Sequence, residues 1–300
     1  MKLALRELIN NRGILFDGAM GTELIARGLS SGEVPEEWNL KHPELIMEIH
    51  RAYFEAGADI IQTNTFGGSR LKLAARGLDS IVREVNMQGA KIALAVKPKG
   101  GFVAGDIGPT GRFLQPVGRF TPAELEEVFY EQASLLVEGG VELINIETMY
   151  DLEEAKAAVR GSRRATEFPV FVSLTFSKTR KGFYTIMGND VPTSLRELEK
   201  CGAEVVGANC TLGMPEMVQL VKLMRQNTDL SIIAQANAGA PQLKDDKVTY
   251  PISAEEYAGY AEELIEAGAD IIGGCCGAGP EYIRLMAPLV KREKPRRKTG

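Results

Sequence analysis

Glu266-Ala267-Gly268-Ala269-Asp270-Ile271-Ile272 decides the fold. Its glycine closes an amphipathic helical pattern, where left-handed backbone geometry is common and glycine adopts it without a Cβ penalty. An acid and two isoleucines then open a buried strand. The same arrangement occurs three times earlier, in Glu55-Ala56-Gly57-Ala58-Asp59-Ile60-Ile61, Glu138-Gly139-Gly140-Val141-Glu142-Leu143-Ile144 and Lys200-Cys201-Gly202-Ala203-Glu204-Val205-Val206. Gly57, Gly140, Gly202 and Gly268 stand 83, 62 and 66 residues apart, about two strand–helix units each time. Gly13-Ile14-Leu15-Phe16, Gly101-Phe102-Val103-Ala104-Gly105-Asp106, Val170-Phe171-Val172-Ser173-Leu174 and Ser231-Ile232-Ile233-Ala234-Gln235 supply four more strands. Each strand is followed by a helical pattern, and Pro43, Pro122, Pro192, Pro215 and Pro280 sit near helix starts, where proline is tolerated. Near-continuous apolar strands suit a parallel sheet covered by helices. Eight such units predict an α/β fold, a (β/α)8 TIM barrel, over residues 1–290, with a short helix over 1–12. An open doubly wound sheet is the alternative. Residues 291–300 are basic and contain Pro295; they read as a solvated tail or the start of a linker.

The bulk properties fit one barrel of about 250 residues with extensions. The 300 residues are 44% hydrophobic and 25% charged, the balance of a globular domain. A net charge of −5 gives no basic field for nucleic acid. The charged N-terminus is no signal peptide, and no apolar run spans a bilayer. Four cysteines do not form a secreted disulfide framework, which points to a reducing, cytoplasmic compartment. His42 and His50 are the two histidines and read as structural or solvated, so a metal site would have to lean on sulfur.

Barrel enzymes carry their sites at the C-terminal ends of the strands. Asp17-Gly18, Thr63-Asn64-Thr65, Asp106, Glu147-Thr148, Thr175, Asn209-Cys210, Asn237 and Cys275-Cys276 stand there. Glycines around Cys275-Cys276 let the chain leave extended geometry, so both sulfurs can face one point. Cys210 closes the sixth strand, one strand away from the eighth. Three thiols with an open fourth position describe a catalytic rather than a structural zinc site, and soft sulfur favours zinc or copper(I) over magnesium. A Cys275–Cys276 disulfide is the rival, although adjacent Cα atoms lie closer than usual for that bond. Cys201, at a helix end, reads as core. Asp17, Asp106 and Glu147 at the rim suit a substrate ammonium or proton transfer. Asp59, Glu142, Glu204 and Asp270, at the opposite strand ends, read as solvated caps.

Asp17-Gly18-Ala19-Met20-Gly21-Thr22, Thr63-Asn64-Thr65-Phe66-Gly67, Gly105-Asp106-Ile107-Gly108-Pro109, Gly207-Ala208-Asn209-Cys210 and Gly273-Gly274-Cys275-Cys276-Gly277 together resemble the homocysteine S-methyltransferase family. The likeness is strongest to the N-terminal homocysteine-binding module of cobalamin-dependent methionine synthases, and it runs along essentially the whole chain. It implies a (β/α)8 barrel with zinc on Cys210, Cys275 and Cys276, and Asn237 serving the metal when substrate is absent. It also implies homocysteine held by groups matching Asp17, Gly18 and Glu147; Ala19 and Asn64, at the same rim, are further candidates, with Asn64 either an ordinary turn residue or one whose side chain faces the mouth. No protein side chain is expected to be catalytic beyond the zinc-activated substrate thiol. The seventh strand, Gln235-Ala236-Asn237, departs from the acid and proline expected before that asparagine.

The implied reaction is methyl transfer to homocysteine, giving methionine. No folate-binding or corrinoid-binding module follows the barrel, so the expected donor is a methyl-corrinoid, methylcobalamin on a separate protein. Betaine and S-methylmethionine are the alternative donors. A betaine site wants aromatic faces, for which Phe66, Tyr150, Phe176 and Tyr184 are near enough to the rim. A zinc hydrolase and a non-catalytic subunit of a methyl-transfer complex are rivals of other classes.

Overall fold

The computed structural model describes residues 3–244 and 247–292. Most of the basic tail, 293–300, lies outside the described residues. Eight parallel strands form the sheet: β1 (Ile14–Leu15), β2 (Ile60–Gln62), β3 (Phe102–Ile107), β4 (Leu143–Met149), β5 (Val170–Leu174), β6 (Val205–Asn209), β7 (Ser231–Ala236) and β8 (Ile271–Gly274). Each strand pairs with the next in sequence from β2 to β8, and β8 pairs with β1. The Phe16–Ile60 bridge and the Asp59 N–H, which donates to Leu15 O at 2.7 Å, join β1 to β2. The architecture is therefore the expected barrel rather than an open sheet. Outer helices follow every strand, from Pro43–Glu55 after β1 to Pro280–Val290 after β8. Gly57, Gly140, Gly202 and Gly268 all adopt left-handed geometry, with φ of 97–110°.

Inside the barrel, side chains grade from apolar to polar. Ile60, Phe102, Leu143, Phe171, Val205 and Ile271 form the lower layer with Leu5 and Ile9 of the helix Leu3–Asn11, which plugs the bottom. Two residues on, the pleat returns to the same face. There β2 and β4 present Gln62 and Asn145, bonded to each other at 2.8 Å. A further step along β3 and β4 presents Asp106 and Glu147.

The strand-start acids are not solvated caps. Asp59 and Asp270 are buried. Arg12 grips Asp59 with two 2.8 Å bonds, Lys291 Nζ reaches it at 2.8 Å, and the Leu15 N–H donates to it at 3.0 Å. Arg225 pairs with Asp270, and the Ile232 N–H donates to it. Lys97 pairs with Glu142, which also accepts the Val103 N–H, and Arg163 pairs with Glu204. At least three of these carboxylates satisfy an N–H on the neighbouring strand, which is why they turn inward at the barrel foot.

At the opposite end, connections from β3 onward alternate in length. Those after β4, β6 and β8 are short (150–151, 210–213 and 275–279). Those after β3, β5 and β7 are long, and the last two carry the hairpins Ser177–Thr179/Gly182–Tyr184 and Gln242–Lys244/Lys247–Thr249. The hairpins have no signature in the eight-unit repeat.

Candidate metal and substrate site

Cys210 leaves β6 through an unusual turn, with φ of +61° at Cys210 and +50° at Thr211. Left-handed geometry at residues with a Cβ costs on the order of 1–3 kcal/mol each and persists only where surroundings enforce it. The Cys210 N–H donates to Gln235 O at 3.1 Å, and Thr211 Oγ1 to Phe176 O at 2.7 Å. Cys275 and Cys276 are held as β8 ends. Gly274 N donates to Asp17 O, Cys275 N to Ala236 O, and Ala238 N to Cys276 O. The backbones pack too closely here for side chains: a Cβ on Gly18 would stand 2.1 Å from Ala278 O.

The sulfurs of Cys210, Cys275 and Cys276 all lie within 4.8 Å of one another, and Cys210 and Cys276 are 3.9 Å apart. Tetrahedral zinc with bonds of about 2.3 Å separates its sulfurs by about 3.8 Å. The four cysteines are free, so the pair carries no disulfide. Donation from Cys275 and then Cys276 pulls Cys210 down to about 3, while Cys276 is pushed up to about 11. The cluster thus concentrates thiolate character on one sulfur, and a metal would deprotonate the others. Asn237 is buried beside it, helps to lower Cys210, and has an Oδ1 that lacks a partner. Three thiol sulfurs and an orphaned amide oxygen fit a soft, four-coordinate metal. Cys201 stands apart at the end of the helix Val191–Lys200, near Arg160.

A cavity of about 270 Å³ opens beside the sulfurs, lined among others by Gly18, Ala19, Asn64, Asp106, Glu147 and Thr148. Burial, then the charge of Cys210, lifts Glu147 to about 7, while a hydrogen bond from Gln62 opposes the shift. Burial and the neighbouring Glu147 push Asp106 well above the carboxylate range, and its Oδ1 has no partner. Asp17 is placed differently. It is not among the lining residues, and its Oδ2 accepts the Gln62 N–H at 2.8 Å. Its other oxygen is unpartnered, and burial raises its pKa strongly. The Asn64 amide nitrogen is committed to Pro35 O and Asn39 Oδ1.

The residues matched by the homocysteine S-methyltransferase profile are 14–290, nearly the whole of this barrel. The chain belongs to the homocysteine S-methyltransferase family. It is 32% identical over 308 residues to methionine synthase of Mycobacterium tuberculosis (strain ATCC 25618 / H37Rv), covering 97% of this chain and 26% of that protein. The Mycobacterium leprae (strain TN) methionine synthase is also 32% identical, with 96% and 25% covered. The chain therefore spans about a quarter of these relatives' length. The metallated form of the homocysteine methyltransferase MmuM from Escherichia coli shares the fold, with a TM-score of 0.78 and 24% identity over 95% of this chain and 99% of that one.

Sequence reading names Asn209 at the rim without giving it a role, and does not name Gln62 or Tyr250. Gln62 bridges Asn145 and Glu147. Asn209 bonds Thr148 and approaches Cys275. Gln62 and Asn209 end strands and were legible as rim polar groups; Tyr250 follows a hairpin that the repeat gives no reason to expect.

Proposed function

We propose that this chain transfers a methyl group to the thiol of homocysteine, giving methionine, with zinc held by Cys210, Cys275 and Cys276. The carrying observation is the convergence of three sulfurs on one point beside a cavity that presents carboxyl groups. Zinc, when bound, supplies the deprotonation that makes a substrate thiol nucleophilic at neutral pH. The chain's own residues bind and orient. Glu147, steered by Gln62, faces the substrate ammonium, and Asp106 stands beside it. Asp17 fixes the Gln62 backbone and Asn64 shapes the wall. Asn237 offers its free oxygen to the metal when no substrate sulfur is there.

The donor in this reading is a methyl-corrinoid on a protein partner, working in the cytoplasm. Phe113, Val117, Ile186, Met187, Leu243 and Val248 are exposed, and all lie on the long connections after β3, β5 and β7. Exposed apolar side chains around an active-site mouth suit a macromolecular donor. Betaine is less well served, since Phe66 alone of the four aromatics named above lines the cavity. A hydrolase is disfavoured because no histidine lines the cavity, and His50 is buried elsewhere. No helix among the described residues is long and apolar enough to cross a membrane. The test offers homocysteine with methylcobalamin, a methylated corrinoid protein, betaine or S-methylmethionine, and detects methionine by mass spectrometry. Turnover with a corrinoid donor is expected. Turnover with betaine or S-methylmethionine and neither corrinoid overturns the donor; no methionine from any donor overturns the activity.

A further inference from the structure

Strand β4 breaks its own pleat before it ends. Asn145 and Glu147 face the barrel interior, while Ile144 and Ile146 pack outward in the core beneath the helices. Regular alternation would turn Met149 inward. It packs in the outer core instead, with Ile144 and Ile146. The register with β5 accounts for this: Ile146 pairs with Val172 and Met149 with Leu174, so three steps along β4 match two along β5. The extra residue is a bulge, which is rare in a parallel pair. Thr148 takes it up with φ of +58°, left-handed geometry that is an outlier for a β-branched residue. The bulge thereby turns two consecutive side chains, Glu147 and Thr148, to the cavity.

Such a conformation persists only where its surroundings over-determine it, and Asn209 supplies the constraint. From the end of β6 its buried side chain reaches past β5 to β4. Oδ1 accepts the Thr148 N–H at 2.8 Å, and Nδ2 donates to Thr148 Oγ1 at 2.7 Å. Thr175, just after β5, ties the same two strands: its N–H donates to Met149 O at 2.7 Å and its Oγ1 to Asn209 O at 3.4 Å. Asn209 Nδ2 also stands 3.8 Å from Cys275 Sγ, and the next residue in the chain is Cys210. The bulge is therefore fastened to the strand end that carries the sulfurs. Asn209 does not line the cavity, so it acts through the residue it holds. Resting on the reading of Glu147 as the partner of the substrate ammonium, we propose that Asn209 is a positioning residue for homocysteine recognition. It keeps Thr148 in the bulged form, and so keeps Glu147 aimed into the cavity at a fixed offset from the sulfur cluster. Without it, β4 relaxes toward regular alternation, and the carboxyl loses its register with the sulfur end of the substrate.

The test measures Kd by calorimetry on the zinc-loaded full chain, for homocysteine and for 4-mercaptobutanoate, its analogue without the amino group. Asn209→Ala should retain zinc, weaken homocysteine about 10- to 30-fold, the equivalent of two neutral hydrogen bonds, and leave the analogue unchanged. Adding Thr148→Gly should recover about fivefold of that loss, because glycine adopts positive φ without a Cβ penalty; a merely structural defect gains nothing from it. If Asn209→Ala fails to fold or loses zinc, Thr148→Val carries the test: it removes one of the two bonds and should weaken homocysteine about fivefold. Unchanged homocysteine affinity in the variant that folds, an equal loss for both ligands, or no recovery with glycine overturns the inference. A wild type that takes up no zinc, or that binds the two ligands equally, overturns the underlying reading instead.

Discussion

Glu147→Gln separates substrate recognition from metal chemistry. The change keeps side-chain shape and removes one ionisable group. Three carboxyl groups crowd this end of the barrel, and burial raises all of them, but Glu147 alone is set as low as about 7 while Asp17 and Asp106 are held well above the usual range. At pH 8 Glu147 is above its value of about 7 and carries negative charge into the cavity. One charge-assisted hydrogen bond contributes about 1.5–3 kcal/mol, which corresponds to a rise in Kd of about 10- to 150-fold. Calorimetry on zinc-loaded protein at pH 8 would compare homocysteine with 4-mercaptobutanoate, which lacks the amino group. Wild type and variant should bind the analogue equally, while homocysteine affinity falls by that factor. The two ligands and two proteins form a thermodynamic cycle whose interaction energy isolates the ammonium contact. An interaction energy below about 0.5 kcal/mol, with zinc retained, would refute the assignment.

Cys210→Ser, Cys275→Ser and Cys276→Ser should each lower metal content below one zinc per chain, while Cys201→Ser keeps it; elemental analysis reads this directly, and full retention in Cys275→Ser with loss in Cys201→Ser reverses the assignment. His50 is fully buried without a partner on either ring nitrogen, and burial lowers its pKa to about 3. The unfolded chain therefore binds the extra proton first as pH falls through about 6.5, and this group should cost about 2 kcal/mol of stability between pH 7 and 5. Denaturant titrations at the two pH values should show that loss in the wild type and a smaller one in His50→Leu. Asp59→Asn should destabilise by about 2–3 kcal/mol at pH 7, below the usual range for a broken buried pair because Arg12 and Lys291 reach solvent. Burial raises the Asp59 pKa, but Arg12, Leu15 and Lys291 outweigh it and hold the group below its ordinary value. Its contribution is present above about 4 and fades as pH falls through the lowered value, so equal stability of variant and wild type at pH 7 counts against the latch.

The barrel was legible because glycine reports a backbone requirement that other residues meet poorly. Gly57, Gly140, Gly202 and Gly268 are needed for φ near +100°, and their recurrence before apolar runs counts out the strand–helix units. The convergence of Cys210 with Cys275-Cys276 followed once strands six and eight were placed one strand apart. Asp59 and Asp270 were misread because an acid before a strand looks the same whether it faces water or an arginine arriving from a distant part of the chain. Arg12 lies 47 residues from Asp59. Asp17 was placed at the correct strand end, but sequence does not say that its carboxylate is engaged by the Gln62 N–H. Tyr250 comes to lie against Gly277 after a hairpin whose path depends on tertiary packing alone.

The alternation of short and long connections around the mouth divides labour by parity. Cys210, Cys275-Cys276 and Glu147 sit at the ends of even-numbered strands, where short connections leave little room for drift. The exposed apolar side chains of the mouth sit on the connections after β3, β5 and β7, and the hairpins of the last two pair with themselves and so tolerate insertion. Such a barrel can exchange the molecule that visits its mouth by remodelling three loops, with the sulfur chemistry carried forward unaltered. Diversification of donors within one scaffold then becomes a matter of loop replacement, and grafting the connections after β3, β5 and β7 between members of the family is the corresponding engineering route.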